Sequence, residues 1–354
     1  MVWTPRFRLL SLAVVTSGLA LMGVWAQRAI RPPFTIGVSN GFVGSEWRVQ
    51  MLDDMRTLNE VYKRQGLTRD LVIQSADVDV SGQINQIRNL VLRRVNGIIL
   101  NPNSQSGLNG AIRDAVRQGV RVISVDQEVS APEAINVTID QKEWAKISMR
   151  WLAEALGGKG NIVIINGIAG HPANEARYQG VKEVLAEYPD IKVLNVVNAD
   201  WDQAKGQEAM SRLIASYPNI DGVWSQDGMA EGALRALLAA NLAKLPIVSG
   251  EARTGYLRLW AEAKKRYPDF RSFGVYNPPG VGASGLKVMV RLLQGKTLKP
   301  GLLKGPFRNT IYVPIPGQVT DNNLYQVLEQ IKGKPDTYVL DGIISDKEAD
   351  SYFQ

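Results

Sequence analysis

Residues 96–127 read NGIILNPNSQSGLNGAIRDAVRQGVRVISVDQ. The stretch opens with the apolar run 97–100 and closes with a second apolar run, 120–125, and both are short enough to be buried strands. Between them, apolar residues recur at helical spacing: Leu108, Ile112, Ala115 and Val116. Gly119 follows this stripe as a plausible helix C-cap. The stretch therefore predicts a strand–helix–strand unit with parallel strands and a sheet covered on both faces.

The same order of apolar run, polar residues and amphipathic helix recurs along the chain. Predicted strands cover residues 34–39, 71–74, 97–100, 120–125, 161–165, 192–197, 222–224, 246–248 and 272–275. A chain of 354 residues is longer than one core usually serves, and a second series of units starts near Asp140. We therefore predict an α/β protein with two similar, doubly wound lobes and a ligand cleft between them.

The first 26 residues have the features of an export signal rather than of a folded element. Arg6 and Arg8 precede an apolar run over 9–22, and Ala26 is a small residue at the expected cleavage point. The alternative is a membrane anchor, but the run is short for a span of about 20 residues. We expect cleavage after Ala26 and a protein that is soluble outside the cytoplasm once the signal is removed.

The composition narrows the classes of function. The chain has no cysteine, which rules out disulfides, a thiolate nucleophile and cysteine-based metal sites. Its net charge of +7 is spread over helices without aromatic interleaving, so we expect no nucleic-acid partner.

A glycine pattern and the histidine could each indicate an enzyme, but neither has the neighbouring residues that its chemistry needs. Gly280, Gly282 and Gly285 match the spacing of a dinucleotide-binding turn, but no acidic residue follows before Asp321 to bind a ribose. We expect these glycines to permit close helix packing, and we expect no cofactor. His171 is the single histidine, and no Gly-x-Ser-x-Gly elbow is present to supply a nucleophile.

Tryptophans fall into two groups by position. Trp144, Trp151 and Trp260 lie within helical patterns and are predicted to be core residues. Trp47 and Trp201 instead lie at loop-to-helix junctions just after strands, where an aromatic face can stack on the C–H face of a sugar ring.

In order and spacing, the chain resembles the periplasmic sugar-binding proteins of ABC importers, of the ribose-binding type. The signatures that carry the resemblance are Ile36-Gly-Val-Ser39 before Glu46-Trp47, Asn96-Gly-Ile-Ile-Leu-Asn-Pro102, Val122-Ile-Ser-Val-Asp126, Asn166-Gly-Ile-Ala-Gly170, Ala199-Asp-Trp-Asp202, and Trp224-Ser-Gln-Asp227 before Gly232-Ala-Leu234. The resemblance covers residues 35 to 319 or so. It implies a Venus-flytrap architecture of type I, with two lobes, three hinge crossings and closure on the ligand by hinge motion.

The resemblance also implies a division of the chain and a set of partners. The first lobe would comprise residues 34–139 and 277–312, and the second would comprise 140–276 and about 313–354. The partners would be a small polyhydroxylated ligand, a sugar or polyol, and an ABC permease in the inner membrane, with the binding protein acting as a monomer.

Site residues are carried over position by position. Trp47, preceded by Glu46, and Trp201 would take the places of ring-stacking phenylalanines. Asp126 and Arg177 match sugar-contacting residues, whereas Gln127, Asp227, Glu251 and Tyr276 replace an Arg, an Asn, an Asp and a Gln. These replacements imply a ligand other than ribose, because a site that binds hydroxyl groups rejects analogues that leave buried groups unpaired.

Three alternatives stay open from the sequence. One is a receptor for a furanosyl autoinducer, suggested by Val80-Ser-Gly-Gln83 and the C-terminal extension, and another is a receptor for a chemotaxis ligand. The third is a carbohydrate hydrolase that would use Asp126, Asp227 or Glu251, because glycosidases use pairs of carboxyl groups.

Overall fold

The computed structural model describes residues 31–354, so the predicted export signal lies outside the described residues. The elements in chain order are β1 (Ile36–Asn40), α1 (Glu46–Arg64), β2 (Val72–Ser75), α2 (Val80–Leu92), β3 (Gly97–Asn101), α3 (Asn109–Arg117), β4 (Arg121–Val125), β5 (Ile135–Thr138), α4 (Gln141–Ala155), β6 (Lys159–Asn166), α5 (Pro172–Leu185), β7 (Asp190–Asn198), α6 (Gln203–Ser216), β8 (Gly222–Ser225), α7 (Met229–Ala239), β9 (Ile247–Glu251), α8 (Thr254–Arg266), β10 (Ser272–Val275), α9 (Val281–Leu293), β11 (Thr310–Tyr312), β12 (Gln318–Val319), α10 (Leu324–Gln330) and α11 (Asp346–Ser351). Over residues 31–354, no helix has the length and apolar character that crossing a membrane requires.

These strands form two six-stranded sheets, which confirms the predicted pair of α/β lobes. The first sheet has the order β11-β5-β4-β3-β1-β2, and its strands pair in parallel. The second has the order β12-β10-β9-β8-β6-β7 and is parallel except for β12, which runs antiparallel to β10. Each sheet carries helices on its faces, so the carboxyl ends of both sets of strands are free to hold a site.

Local sequence explains several boundaries. Asp140 and Asp202 cap α4 and α6 through their side chains, accepting hydrogen bonds from the backbone N–H groups of Glu143 (3.0 Å) and Lys205 (2.8 Å). β5 has no counterpart among the predicted strands, because in its sequence, INVT, polar residues alternate with apolar ones and no continuous apolar run is formed.

The glycines of the dinucleotide-like pattern serve packing, as expected. A Cβ on Gly282 would lie 2.6 Å from Met51 Cγ, and one on Gly285 would lie 2.5 Å from Val125 Cγ1. Helix α9 therefore approaches α1 and β4 more closely than any larger residue would permit.

The chain passes between the lobes at the three expected connections, and the tail adds a fourth. The first three lie between β5 and α4, β10 and α9, and β11 and β12. Helix α10 packs on α8 of the second lobe, but α11 packs on α9 of the first lobe. The assignment of all of 313–354 to the second lobe is therefore wrong for α11, whose acidic Asp346 and Asp350 pair with Arg291 of α9.

Candidate functional site

A small cavity lies between the lobes, where the carboxyl ends of the two sets of strands face each other. Its lining residues are Phe42, Ser45, Trp47, Arg48, Asp126, Ala173, Arg177, Trp201, Asp227 and Asn277. The cavity volume is about 20 Å³, which is room for about one water molecule. The lobes are therefore closed on each other in this structure, and a sugar-sized ligand could enter only after they separate.

The first-lobe wall is built on the start of α1. Trp47 is buried, and its Nε1 donates a 2.7 Å hydrogen bond to the backbone oxygen of Asn277 at the second crossing. Arg48 is also buried; its Nη1 donates to Asn40 Oδ1 at 2.8 Å, and its Nη2 lies 3.9 Å from Asp126 Oδ2. The indole ring and the guanidinium group are thus both held in place before any ligand arrives.

Asp126 directly follows β4 and has a φ of 67°, a left-handed conformation that turns the chain sharply after the strand. Its carboxylate accepts hydrogen bonds from Asn101 Nδ2 (3.3 Å) and Gln141 Nε2 (3.3 Å). Burial raises the pKa of Asp126 above its ordinary value, and the Arg48 and Arg177 guanidinium groups oppose that shift. The carboxyl oxygens accept these hydrogen bonds at the wall of the cavity.

The second-lobe wall is built on α5 and on the turn before α6. Arg177 stacks over the Trp144 ring at 4.4 Å and donates to Gln141 Oε1 (2.8 Å) and Gln226 Oε1 (3.1 Å). Trp201 Nε1 donates to the same Gln226 oxygen at 2.9 Å. One glutamine therefore orients both the guanidinium group and the indole ring.

Trp201 is further fixed by its neighbours. A Cβ on Gly167 would lie 2.1 Å from Trp201 Nε1, so only glycine leaves space for the ring. The His171 ring meets the Trp201 ring edge-on at 5.6 Å. Burial lowers the pKa of His171 to about 4, so this histidine is neutral at physiological pH.

Behind Asp227, a buried arginine joins several carboxyl groups. Arg253 pairs with Asp227, with Glu251 through Nε at 3.1 Å, and with Glu46 of the first lobe through Nη1 at 3.4 Å. Glu251 also accepts a 3.0 Å hydrogen bond from Asn277 Nδ2. Burial and the nearby Asp227 raise the pKa of Glu251 to about 7.

Five of the predicted site residues line the cavity together: Trp47, Asp126, Arg177, Trp201 and Asp227. Gln127 lies just behind it, where its Oε1 accepts a 3.2 Å hydrogen bond from the backbone N–H of Ala173 in the other lobe. Glu251 is fully buried behind Asp227. Glu46 is at the outer mouth, with half of its side chain exposed.

Tyr276 does not line the cavity, contrary to its selection from the sequence. Its ring packs against Gly317, and its N–H donates to the Gly317 oxygen at 3.0 Å. The next residue, Asn277, lines the cavity instead. Successive side chains of an extended chain point to opposite sides, so only one of the two can face the ligand.

Sequence reasoning missed Phe42, Arg48, Arg253 and Asn277. The signal for two of them was available, because Arg48 directly follows Trp47 and Arg253 lies two residues past Glu251 at the end of β9. Applying the strand-end rule to every polar residue that follows a strand would have found both arginines.

The arrangement is suited to binding hydroxyl groups. Guanidinium groups donate, carboxylates accept, and the two indole rings offer apolar faces. Within residues 31–354 no group of three or more His, Asp or Glu side chains is placed to hold a metal ion. Three larger grooves are present: one of about 710 Å³ at the amino ends of β6, β8 and β9, one of about 460 Å³ beside the first crossing, and one of about 470 Å³ that includes Glu46 and Trp201 at the mouth of the cleft.

Comparison with known proteins gives one family and a consistent set of relatives. Residues 36–297 match the model of the family described as periplasmic binding protein domain. The xylitol-binding protein of Mycolicibacterium smegmatis is 32% identical over 278 residues, which are 78% of this chain and 75% of that protein. The ribose import binding protein of Escherichia coli is 24% identical over 65% of this chain and 76% of its own length.

Solved structures share the fold at lower identity. An ABC transporter solute-binding protein from Thermobispora bispora has a TM-score of 0.77 at 23% identity, covering 90% of this chain and 94% of its own. A solute-binding protein from Mycobacterium smegmatis with bound glycerol has a TM-score of 0.70 at 21% identity, covering 87% and 99%.

Proposed function

Because the chain belongs to the family of periplasmic binding proteins, we propose that it is an extracytoplasmic receptor that captures a small sugar or polyol and delivers it to an ABC permease. The observation that carries this proposal is the cavity between the lobes. Its indole rings, guanidinium donors and carboxylate acceptors converge from both lobes on one space. Each hydroxyl group both donates and accepts a hydrogen bond, so a polyhydroxylated ligand can pair with the guanidinium donors and with the carboxylate acceptors.

We assign ligand contacts to the cavity residues Trp47, Arg48, Asp126, Arg177, Trp201, Asp227 and Asn277. Gln127 and Glu251 act on the ligand through their neighbours, since each is hydrogen-bonded or ion-paired behind the cavity wall. Glu46 lies at the outer mouth of the cleft, where it forms an ion pair with Arg253 of the other lobe rather than contacting the ligand.

The charge balance of the site favours a neutral ligand. The site holds three buried guanidinium groups (Arg48, Arg177, Arg253) and three buried carboxyl groups (Asp126, Asp227, Glu251), a set that is neutral when all three carboxyls are ionised, which for Glu251 requires a pH above about 7. A ligand that brought a net charge into this closed space would leave that charge without a counter-ion, which is costly where water is excluded. A pentitol or another small polyol fits this balance, and a relative is a xylitol-binding protein.

The rest of the proposal follows from the family and the geometry. The ligand enters an open form and the lobes close on it by hinge motion, since the closed cavity is smaller than any sugar. Both walls come from one chain, so a monomer suffices. No catalytic step is proposed, and the export signal predicted over residues 1–26 would place the protein in the periplasm.

Isothermal titration calorimetry tests this function, with pentitols, hexitols, pentoses, hexoses and aldonic acids as ligands. We expect saturable binding of at least one neutral compound, a rise in melting temperature with its concentration, and weaker binding of the aldonic acids. Mass spectrometry after long incubation should recover the ligand intact. Binding by none of the neutral compounds would refute the proposal, and recovery of a cleaved product would support a hydrolase instead.

A further inference from the structure

The C-terminal tail reaches the ligand site by a route that lies beyond the family match over 36–297. Between α10 on the second lobe and α11 on the first, residues 336–345 form the fourth connection, and we name this segment the tail strap. Its middle runs beside Arg253, the residue that joins three carboxyl groups at the site.

On the second-lobe side, the tail strap pairs with the backbone around Arg253. Leu340 N–H donates to the Ala252 oxygen at 3.1 Å, and Thr254 N–H donates to the Tyr338 oxygen at 2.9 Å. Val339 and Arg253 therefore stand opposite each other in an antiparallel bridge. The strap fixes the backbone from which the Arg253 side chain extends.

On the first-lobe side, three residues of α1 spaced four apart face the strap and Arg253. Glu46 pairs with Arg253 at 3.4 Å, and Gln50 makes two bonds to the Val339 backbone, donating at 3.0 Å and accepting at 2.9 Å. Asp54, one turn further on, lies close to Asp341, whose charge adds to burial in raising the pKa of Asp54 to about 8. Residues at this spacing lie on one face of a helix, so a single face of α1 contacts both the tail strap and Arg253.

The strap is also tied to the hinge. Asp341 Oδ1 accepts a 2.7 Å hydrogen bond from the N–H of Gly280, at the start of α9, and Ile344 N–H donates to Ser284 Oγ at 3.2 Å. The segment is therefore anchored in the first lobe by its second half, and it is paired with the second lobe by its first half.

We propose that the tail strap is part of the closing machinery: it holds Arg253 in register with Glu46, with Gln50 as the positioning residue. This inference rests on the proposed function, because closure matters only if the cleft takes a ligand. The bonds from α1 to Val339 and to Arg253 both join the lobes, so they stabilise the closed form together. Removing the bonds between Gln50 and Val339 should therefore leave Arg253 less well placed to pair with Glu46.

A double-mutant cycle tests this coupling. The variants are Glu46→Gln, Gln50→Ala and the pair, measured for the Kd of the best neutral ligand and for its dissociation rate. We expect Glu46→Gln to weaken binding about fourfold in the native background and by less than about 1.5-fold in the Gln50→Ala background. Gln50→Ala alone should weaken binding about tenfold, because it removes the two hydrogen bonds to the Val339 backbone and a longer one, of 3.4 Å, to Asp341 Oδ2.

Two controls separate positioning from a general effect. Gln65→Ala changes an exposed glutamine just past the C-terminus of the same helix and should leave the Kd unchanged. Gln50→Asn keeps the amide but shortens its reach, so it should behave as Gln50→Ala does. Additive losses in the cycle, or a Gln50→Ala variant indistinguishable from Gln65→Ala, would overturn the proposal.

A ligand-free measurement keeps the strap testable even if the proposed function fails. The chain has no cysteine, so Thr57→Cys on α1 and Ser211→Cys on α6 give a clean pair of spin labels on opposite lobes. We expect Gln50→Ala to shift the distance distribution towards longer, open separations and Gln65→Ala to leave it unchanged. Absence of ligand binding would then refute the receptor function, whereas an unchanged distribution in Gln50→Ala would refute the role of the strap.

Discussion

Arg177 offers the sharpest test of the ligand site, because its charge and its geometry can be separated. The substitution Arg177→Lys keeps a positive charge on α5 but replaces a planar fork by a single ammonium group. In the structure the fork spans Gln141 Oε1 at 2.8 Å and Gln226 Oε1 at 3.1 Å, while its plane lies over Trp144 at 4.4 Å. Lysine cannot make these contacts at once and still present N–H groups to a ligand.

The expected loss follows from those contacts. One charge-assisted hydrogen bond to a ligand hydroxyl contributes about 1.5–3 kcal/mol. Without the Arg177 guanidinium group, Gln226 also loses one of the two hydrogen bonds that its Oε1 accepts, so it holds the Trp201 ring less firmly. We therefore expect ligand binding to weaken by about 2 kcal/mol, or roughly thirtyfold in Kd. Most of the change should appear in the dissociation rate, since the residue is buried and acts only after closure.

Calorimetry and stopped-flow dissociation measure both quantities. Arg150→Lys is the matched control, because Arg150 lies on the exposed face of α4, pairs with Glu187 at 2.8 Å and should leave Kd unchanged. Circular dichroism without ligand verifies that the fold persists. A Kd within threefold of the native value in Arg177→Lys would show that charge alone matters and would refute the assignment of a forked contact.

Three further predictions concern the ring platform, a carboxyl pair and the glycines. Trp47→Ala should weaken ligand binding by a few kcal/mol in calorimetry, and unchanged affinity would remove the ring from the site. Burial and Asp341 raise the pKa of Asp54 to about 8, above its unfolded value, so stability should fall by on the order of 1 kcal/mol per pH unit between about pH 5 and 7. Asp54→Asn should make that slope shallower in urea titrations, although Glu251, whose pKa is also raised, keeps contributing a slope of the same sign; an unchanged slope would contradict the shift. Gly285→Ala should destabilise the protein by about 1–3 kcal/mol, whereas Gly110→Ala, where a Cβ meets nothing within 4 Å, should be neutral or stabilising by up to about 1 kcal/mol.

Sequence alone predicted the two-lobed architecture and five of the residues that line the cavity. The stretch from Gly97 to Val125 shows why: strand and helix periods, turn residues and caps are local, so they can be read without knowing what packs against them. Asp126 and Asp227 could be found in the same way, because parallel strands bring their carboxyl ends to one edge.

Only the tertiary structure decided which of these residues meet and what holds them. Glu46 and Arg253 pair across 207 positions of sequence, and Gln50 and Val339 bond across 289, separations at which no local pattern exists. The same holds for the choice of Asn277 over Tyr276 and for the return of α11 to the first lobe. Such contacts depend on how two lobes pack and close, and their energy arises only when distant segments exclude water from each other.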